Sequence, residues 1–484
     1  MVVKAVLVLL IACLSAGTAR AAEFGANDDT GKYLADTSGQ FFSDMAATGL
    51  KTNVVTLKWD PQQPDTIPGR ERLDAALPLA QAAGVRIVFA VYGARPTVFT
   101  DEGATPRQFA DWVALLAHTY PQVTRYVIGN EPNQPRFWRP QFDDLGGQAS
   151  AKAFGPVLAA AYDALKAIDA SITVVGIGLS PRGNDRPYAP DNVSTSPVRF
   201  LKALGDWYRA SGRRAPLMDA LSFHPYPGSN RDGLEHGYAW PNAGVADLGR
   251  IKLAIWDAFA KTPQMTTASG LKLYLDEVGW QVGTDAVSGY TGSENVPVTD
   301  EGTQARLYGE LVRMLACDPS VSAVNFFGYR DELDRLGFQS GLVRADGTVR
   351  PAAEAVRLAL AETAGGCLGE LKGWRVTPVV VGGAVTFKGA SFVATAREQA
   401  VYRAALFRAG TASTRIEREL TARRASAATK QGTVLANRWP RITFSTRRLL
   451  PGRYVLAVRM TAWANPARAK VFLGRPLVVP APAR

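Results

Sequence analysis

The chain has 484 residues, 47% of them hydrophobic and 20% charged. This composition excludes a disordered chain, and the length exceeds one typical domain, so two folded units are expected. The net charge of +12 is uneven: residues 370–484 hold 21 Lys and Arg against four Glu, a local +17 that leaves −5 for residues 1–369.

In chain order, the first feature is a leader. Lys4 supplies a positive charge, Ala5 to Ala16 is almost unbroken apolar sequence, and Ala19-Arg20-Ala21 offers small residues for cleavage before Ala22. Residues 1–21 therefore read as a signal peptide, and the mature protein as secreted, extracellular or periplasmic. The apolar run is too short to span a bilayer, and no other stretch reads as transmembrane. Leu10-Ile11-Ala12-Cys13 resembles a lipoprotein box, so lipid anchoring through Cys13 is the alternative. Two further cysteines remain, Cys317 and Cys367. In an exported protein an even pair suggests a disulfide, with two buried thiols as the other reading.

Eight short apolar runs then alternate with helical patterns. The strands are expected at 23–27, 53–59, 85–92, 125–129, 172–179, 220–224, 271–278 and 322–329. Their β-branched and aromatic residues are consecutive rather than alternating, as in strands covered on both faces. Helices are expected near 73–83, 105–116, 154–168, 197–208, 248–259, 303–315 and 351–361. This order gives an α/β fold, a (β/α)₈ TIM barrel with enlarged loops over residues 22–369, a doubly wound open sheet being the alternative. From about Trp374 the helical period fades and six short strand candidates follow, at 376–381, 384–388, 400–407, 442–445, 453–460 and 470–473. Residues 370–484 are thus expected as a basic, all-β accessory domain, a small immunoglobulin-like sandwich.

Two strands end in acids. The fourth runs into Gly129-Asn130-Glu131-Pro132, and the seventh ends Leu275-Asp276-Glu277-Val278-Gly279-Trp280. Barrels of this kind do chemistry at the C-terminal ends of their strands. A carboxylate on an apolar strand must be paired, hydrogen-bonded or functional. Asp276 neighbours Glu277 on the opposite strand face, so only one of the two is expected to point into the barrel mouth. The sixth strand ends Ser222-Phe223-His224-Pro225-Tyr226, whose donors could orient a carboxylate. Tyr92, Trp138, Tyr188, Tyr238, Trp240 and Trp280 fall after strands and suit sugar stacking. Gly176-Ile177-Gly178 lacks the third glycine of a dinucleotide site. The three histidines have no metal-ligand spacing, and no Gly-x-Ser-x-Gly elbow is present. No metal or cofactor is expected.

With these motifs the chain resembles clan A of the glycoside hydrolases, near families 5 and 39, over about residues 23–360. The Asn-Glu-Pro at Glu131, the Glu-Val-Gly-Trp at Glu277 and the His-Pro-Tyr at His224 carry the likeness. It implies a retaining glycosidase with Glu131 as acid/base and Glu277 as nucleophile. It further implies Asn130 on the sugar 2-hydroxyl and Tyr226 on the nucleophile. Two features depart from the pattern. The Trp common at the end of strand eight is absent, unless Phe327 or Tyr329 substitutes, and Lys58-Trp59-Asp60 stand where an Arg is common. In that mechanism an ionised Glu277 should raise the pKa of Glu131.

The substrate implied is a poly- or oligosaccharide, and a monomer is expected. A non-catalytic carbohydrate-binding barrel and a transglycosidase are the alternatives. The basic C-terminal region suits an anionic polysaccharide or cell surface, nucleic acid being excluded as a biological partner by export. The plainer reading is a sandwich with basic solvated strands.

Overall fold

The structure is a computed structural model. It describes residues 22–34, 38–284, 289–364, 368–371, 375–381, 384–391, 394–396, 400–422, 429–434, 450–462, 469–474 and 476–479. The leader, with Cys13, lies outside these residues. The chain divides into two compact units, Ala22–Gly365 and, C-terminally, Gly366–Arg484.

The first unit is a closed barrel of eight parallel strands. These are β1 (Glu23–Asn27), β2 (Thr52–Trp59), β3 (Arg86–Gly93), β4 (Arg125–Ile128), β5 (Thr173–Leu179), β6 (Ala220–Phe223), β7 (Lys272–Val278) and β8 (Val321–Phe327). β8 closes on β1 in the register Gly25–Asn325. The doubly wound alternative is thereby overturned. Val54, Val88, Ala90, Val127, Val175, Ala220, Tyr274 and Ala323 fill the interior as one cluster, each strand but β1 giving a residue. This filled centre leaves only the mouth for chemistry.

Helices α1 (Thr30–Tyr33) and α2 (Ser38–Thr48) follow β1. Then come α3 (Arg70–Ala82), α4 (Pro106–Thr119), α5 (Ser150–Ile168), α6 (Pro197–Ala210), α7 (Leu248–Phe259), α8 (Glu301–Leu315) and α9 (Pro351–Ala364). α4 starts as its sequence demands: Pro106 sits in the first turn, and the Thr105 and Gln108 side chains cap reciprocally. Sequence periodicity misses α2, whose SGQFFSDMAAT is poor in helix formers. Burial of Phe41, Phe42 and Met45 holds it instead. Among the described residues no helix is long and apolar enough to cross a membrane. Cys317 is disulfide-bonded. Its expected partner, Cys367, lies outside the described residues.

Among its described residues the second unit is mostly β-structure, with one helix. β9 (Leu368–Leu371) pairs with β12 (Ala394–Ala396), and β10 (Arg375–Val381) with β11 (Ala384–Ser391). β13 (Ala400–Arg408), β14 (Lys430–Val434), β15 (Gly452–Ala462) and β16 (Ala469–Leu473) form an antiparallel sheet in the order 14-13-15-16, and β17 (Leu477–Val479) also pairs with β15. Helix α10 (Ser413–Thr421), absent from the sequence reading, packs Ile416 and Leu420 on Ala405, Phe407 and Ala457. The strand expected at 442–445 lies outside the described residues.

Candidate active site

The mouth of the barrel gathers one imidazole and three carboxylates. Glu131 follows β4 with a φ of 41°, a left-handed backbone unusual for glutamate. Its amide donates to the Gly178 carbonyl at 2.6 Å. The approach of this turn to β5 requires glycine on both sides. A Cβ on Gly129 would meet the Ile177 oxygen at 2.7 Å, and one on Gly178 the Gly129 oxygen at 2.9 Å. Strain of this kind concentrates where the surrounding structure fixes a functional side chain.

Glu277 enters from β7. The inward alternation of that strand runs through Tyr274 to Asp276, so strict pleating would turn Glu277 away. The β7–β8 register shifts between Leu275 and Val278, and the alternation breaks there. Asp276 and Glu277 consequently both reach His224. His224 Nδ1 lies 3.1 Å from Glu131 Oε1 and 3.4 Å from Glu277 Oε2, and Nε2 lies 3.3 Å from Asp276 Oδ1. Asp276 also accepts a short hydrogen bond from the Ser222 hydroxyl. β6 ends at Phe223, yet His224 and Tyr226 both still face the cluster.

The two glutamates differ in their donors. Glu277 receives the Tyr226 hydroxyl at 3.0 Å and Asn27 Nδ2 at 3.3 Å, besides His224. Among the described residues, the side-chain hydrogen-bond partner of Glu131 is His224. Burial pushes the Glu277 carboxyl up to about 8, and the Glu131 and Asp276 charges add to the rise. His224 and the Tyr226 hydroxyl oppose it. Glu277 is 13% exposed at the base of the cleft, with two other acids facing it. Burial disfavours the cationic ring of His224, but the carboxylates of Glu277, Asp276 and Glu131 outweigh this and lift its pKa well above 6.5. Tyr226 is held neutral by burial and by the Glu277 charge. Glu131, His224 and Glu277 also offer ligand atoms within 4.8 Å of one another, a spacing that a metal ion could share and that the local sequence spacing does not reveal.

Two hollows meet at this cluster. One, of about 390 Å³, is lined by Glu131, Gln134, Arg182, Tyr226, Asn230, Tyr238 and Gln281. The other, of about 340 Å³, is lined by Asn27, Asp29, Tyr33, Thr56, Phe327 and Glu332. Phe338 borders both, with its ring centroid 4.7 Å from Phe327 and 6.0 Å from Tyr226. It lies in the loop between β8 and α9, which is tied at its neck. Arg350, 1% exposed, pairs with Asp331 at 2.6 Å, and Asp331 accepts the Tyr290 hydroxyl and the Gly341 amide.

The other residues expected at the site divide. Tyr92 is half-buried at the end of β3, edge-on to Phe137, and the Glu277 charge helps raise its pKa. Asn130 lies beside it, lining a small hollow next to the cluster. Tyr188 and Trp240 are largely exposed. Trp138 and Trp280 are not cleft platforms, a correction with a clear cause. Trp138 stacks on Phe99 at 5.2 Å and Trp280 is fully buried, with its indole N–H on the Asp232 carbonyl at 2.9 Å. Tyr329 also packs inward, against Phe41, so the half-buried Phe327 is the ring at the end of β8 that lines the cleft. Lys58 lies over the Tyr92 ring at 5.9 Å, Trp59 is in the core, and Asp60 pairs with Arg95. Sequence reasoning missed the roles of Asn27 and Phe338. Asn27 carried a signal, a polar residue ending an apolar strand. Trp280→Ala should therefore cost stability, about 3–5 kcal/mol, and leave the apparent affinity for sugar unchanged. A thermal melt beside a binding titration checks this, and a weakened affinity without a lowered melt would contradict it.

No protein-family model matches the chain, and no curated protein does. Solved structures do resemble it. A family 39 glycoside hydrolase from Bacteroides cellulosilyticus WH2 aligns over 86% of this chain and 80% of its own, with a TM-score of 0.51 at 14% identity. A glucosidase from Croceicoccus marinus (12% identity, 92% and 94% coverage, TM-score 0.47) and a monomeric β-xylosidase from Caulobacter crescentus CB15 (15%, 88% and 95%, 0.44) align more loosely. At these identities the likeness is one of fold, and the chain carries the (β/α)₈ barrel fold of the family 39 glycoside hydrolase.

Proposed function

We propose that this protein is a secreted retaining glycoside hydrolase that cleaves β-linked O-glycosidic bonds of a poly- or oligosaccharide by double displacement. One observation carries the reading: Glu131 and Glu277, from the ends of strands across the barrel mouth, bring carboxylate oxygens within 4.8 Å of each other. Direct attack by one carboxylate suits carboxyls roughly 5–5.5 Å apart, whereas an intervening water in an inverting enzyme needs about 6.5–9.5 Å.

In the first step Glu277 attacks the anomeric carbon as Glu131 gives its proton to the departing glycosidic oxygen. The glycosyl–Glu277 ester forms and the leaving alcohol departs neutral. In the second step Glu131, now a carboxylate, takes a proton from water. The hydroxide oxygen bonds to the anomeric carbon and Glu277 leaves as the anion. The pair of acids needs one shared proton, and like charges this close favour a singly protonated pair. Burial keeps that proton on Glu277 in the free enzyme, and the Asn27 and Tyr226 donors with the neighbouring His224 hold Glu277 as the anion once the proton has passed to Glu131. Asn130 is read as the partner of the sugar 2-hydroxyl, and Tyr92 and Tyr226 as the walls of the reacting sugar's site.

Residues 1–21 are read as the signal peptide, 22–369 as the catalytic domain and 370–484 as an accessory sandwich. On its charge, the last is read as a tether to anionic polysaccharide or cell surface. The test of the central claim is proton NMR of the first product from an aryl β-glycoside. The β-anomer should appear before mutarotation. First appearance of the α-anomer would overturn retention.

A further inference from the structure

The His224 ring carries information that the two-acid mechanism does not use. It is fully buried, and carboxylates meet it from both sides: Glu131 from the end of β4 and Glu277 from β7 at Nδ1, and Asp276 from β7 at Nε2. Tyr226, two residues on, gives its own hydroxyl proton to Glu277. Among the described residues, Nε2 has no well-aligned hydrogen bond, and it stands in an off-axis ion pair with Asp276. A neutral imidazole has a single N–H. If it were neutral, one nitrogen lone pair would face a carboxylate, a repulsion that low dielectric magnifies. Asp276, itself buried, is fixed by the Ser222 hydroxyl, which turns one oxygen toward the ring.

We propose that Asp276 is a positioning residue that, with Ser222, holds His224 as a permanent imidazolium between Glu131 and Glu277. The cation has two consequences. It offsets the charge of Glu277, so that the nucleophile ionises in a buried site. It also donates one N–H toward both glutamates, so the proton shared by the pair can leave Glu131 while the ring keeps both of its own. Asp276 touches neither substrate nor reacting atom and acts through the ring alone.

The protonation state of His224 is measured without any substrate, so this proposal can fail independently of the glycosidase reading on which its catalytic consequence rests. The chain has three histidines, at 118, 224 and 236. In the full-length protein labelled with ¹⁵N-histidine, two-bond ¹⁵N–¹H spectra distinguish one protonated ring nitrogen from two. His224 should keep both N–H groups from pH 5 to 9. In Asp276→Asn it should lose a proton within that range. Asp276→Ser removes the charge with less bulk and makes the same test should the asparagine variant fail to fold. On an aryl glycoside, the acidic limb of the kcat/KM profile of Asp276→Asn should move up by about one pH unit, because Glu277 loses its neighbouring cation. The proposal is overturned if wild-type His224 shows a single N–H at pH 6, with Nδ1 accepting a proton from Glu131. It is equally overturned if the folded Asp276 variants keep the ring doubly protonated up to pH 9.

Discussion

Glu277→Ala should lower turnover of an aryl β-glycoside by about 10⁴-fold or more, the scale seen when a covalent nucleophile is removed. Azide should restore part of the rate. It fits the space the side chain leaves and attacks the anomeric carbon from the same face, so the product is a glycosyl azide of inverted configuration. A variant that hydrolyses at a near-wild-type rate would end the assignment of Glu277. The same position should also show an opposite effect on stability. A carboxyl pushed up to about 8 from the ordinary 4.5 keeps, in the folded state, a proton that the unfolded chain releases. Its contribution is therefore complete below pH 4.5 and is lost as the pH rises toward 8. Glu277→Gln, neutral at every pH, should melt near the wild type at pH 4 and above it at pH 8, by on the order of 2 kcal/mol. Calorimetry at the two pH values checks the sign.

The second large effect belongs to Glu131. Glu131→Gln keeps the shape of the side chain but cannot donate a proton to a leaving oxygen. An alkyl or sugar leaving group, which departs poorly as an anion, should lose about 10²–10⁴ in rate, the usual range for general acid catalysis. A dinitrophenyl glycoside needs no such proton and should lose far less in its first step. Rates across leaving groups of graded acidity would give a steep dependence in the variant and a shallow one in the wild type. Parallel lines would exclude Glu131 as the acid.

Both glutamates were legible in the sequence because a charge at the end of an apolar strand has few structural explanations. The barrel was legible for a related reason: strands covered on both faces write consecutive apolar residues into the chain. What stayed hidden depends on local departures from regularity. Glu277 reaches His224 beside Asp276 through a shift in strand register, and alternation alone would turn it away. Trp138 and Trp280 follow strands, as sugar platforms would, but the loops that carry them turn the rings inward. Phe338 sits in a loop with no period to read, and only the tertiary fold brings it to the point where both hollows meet. Helix α2 is a helix by packing, not by propensity.

The loop between β8 and α9 closes on the Asp331–Arg350 pair, while Phe338 and Glu332 hang from its interior and line the cleft. The neck is fastened through Tyr290 and Glu301, and inside it Leu333 and Arg335 bind the loop after β7 at Thr284, Thr291 and Gly292. The wall is thus held loop to loop, while the acids stand on strand ends. Exchange of the short stretch inside the neck would reshape what the cleft admits while leaving the strand ends, and the acids on them, in place.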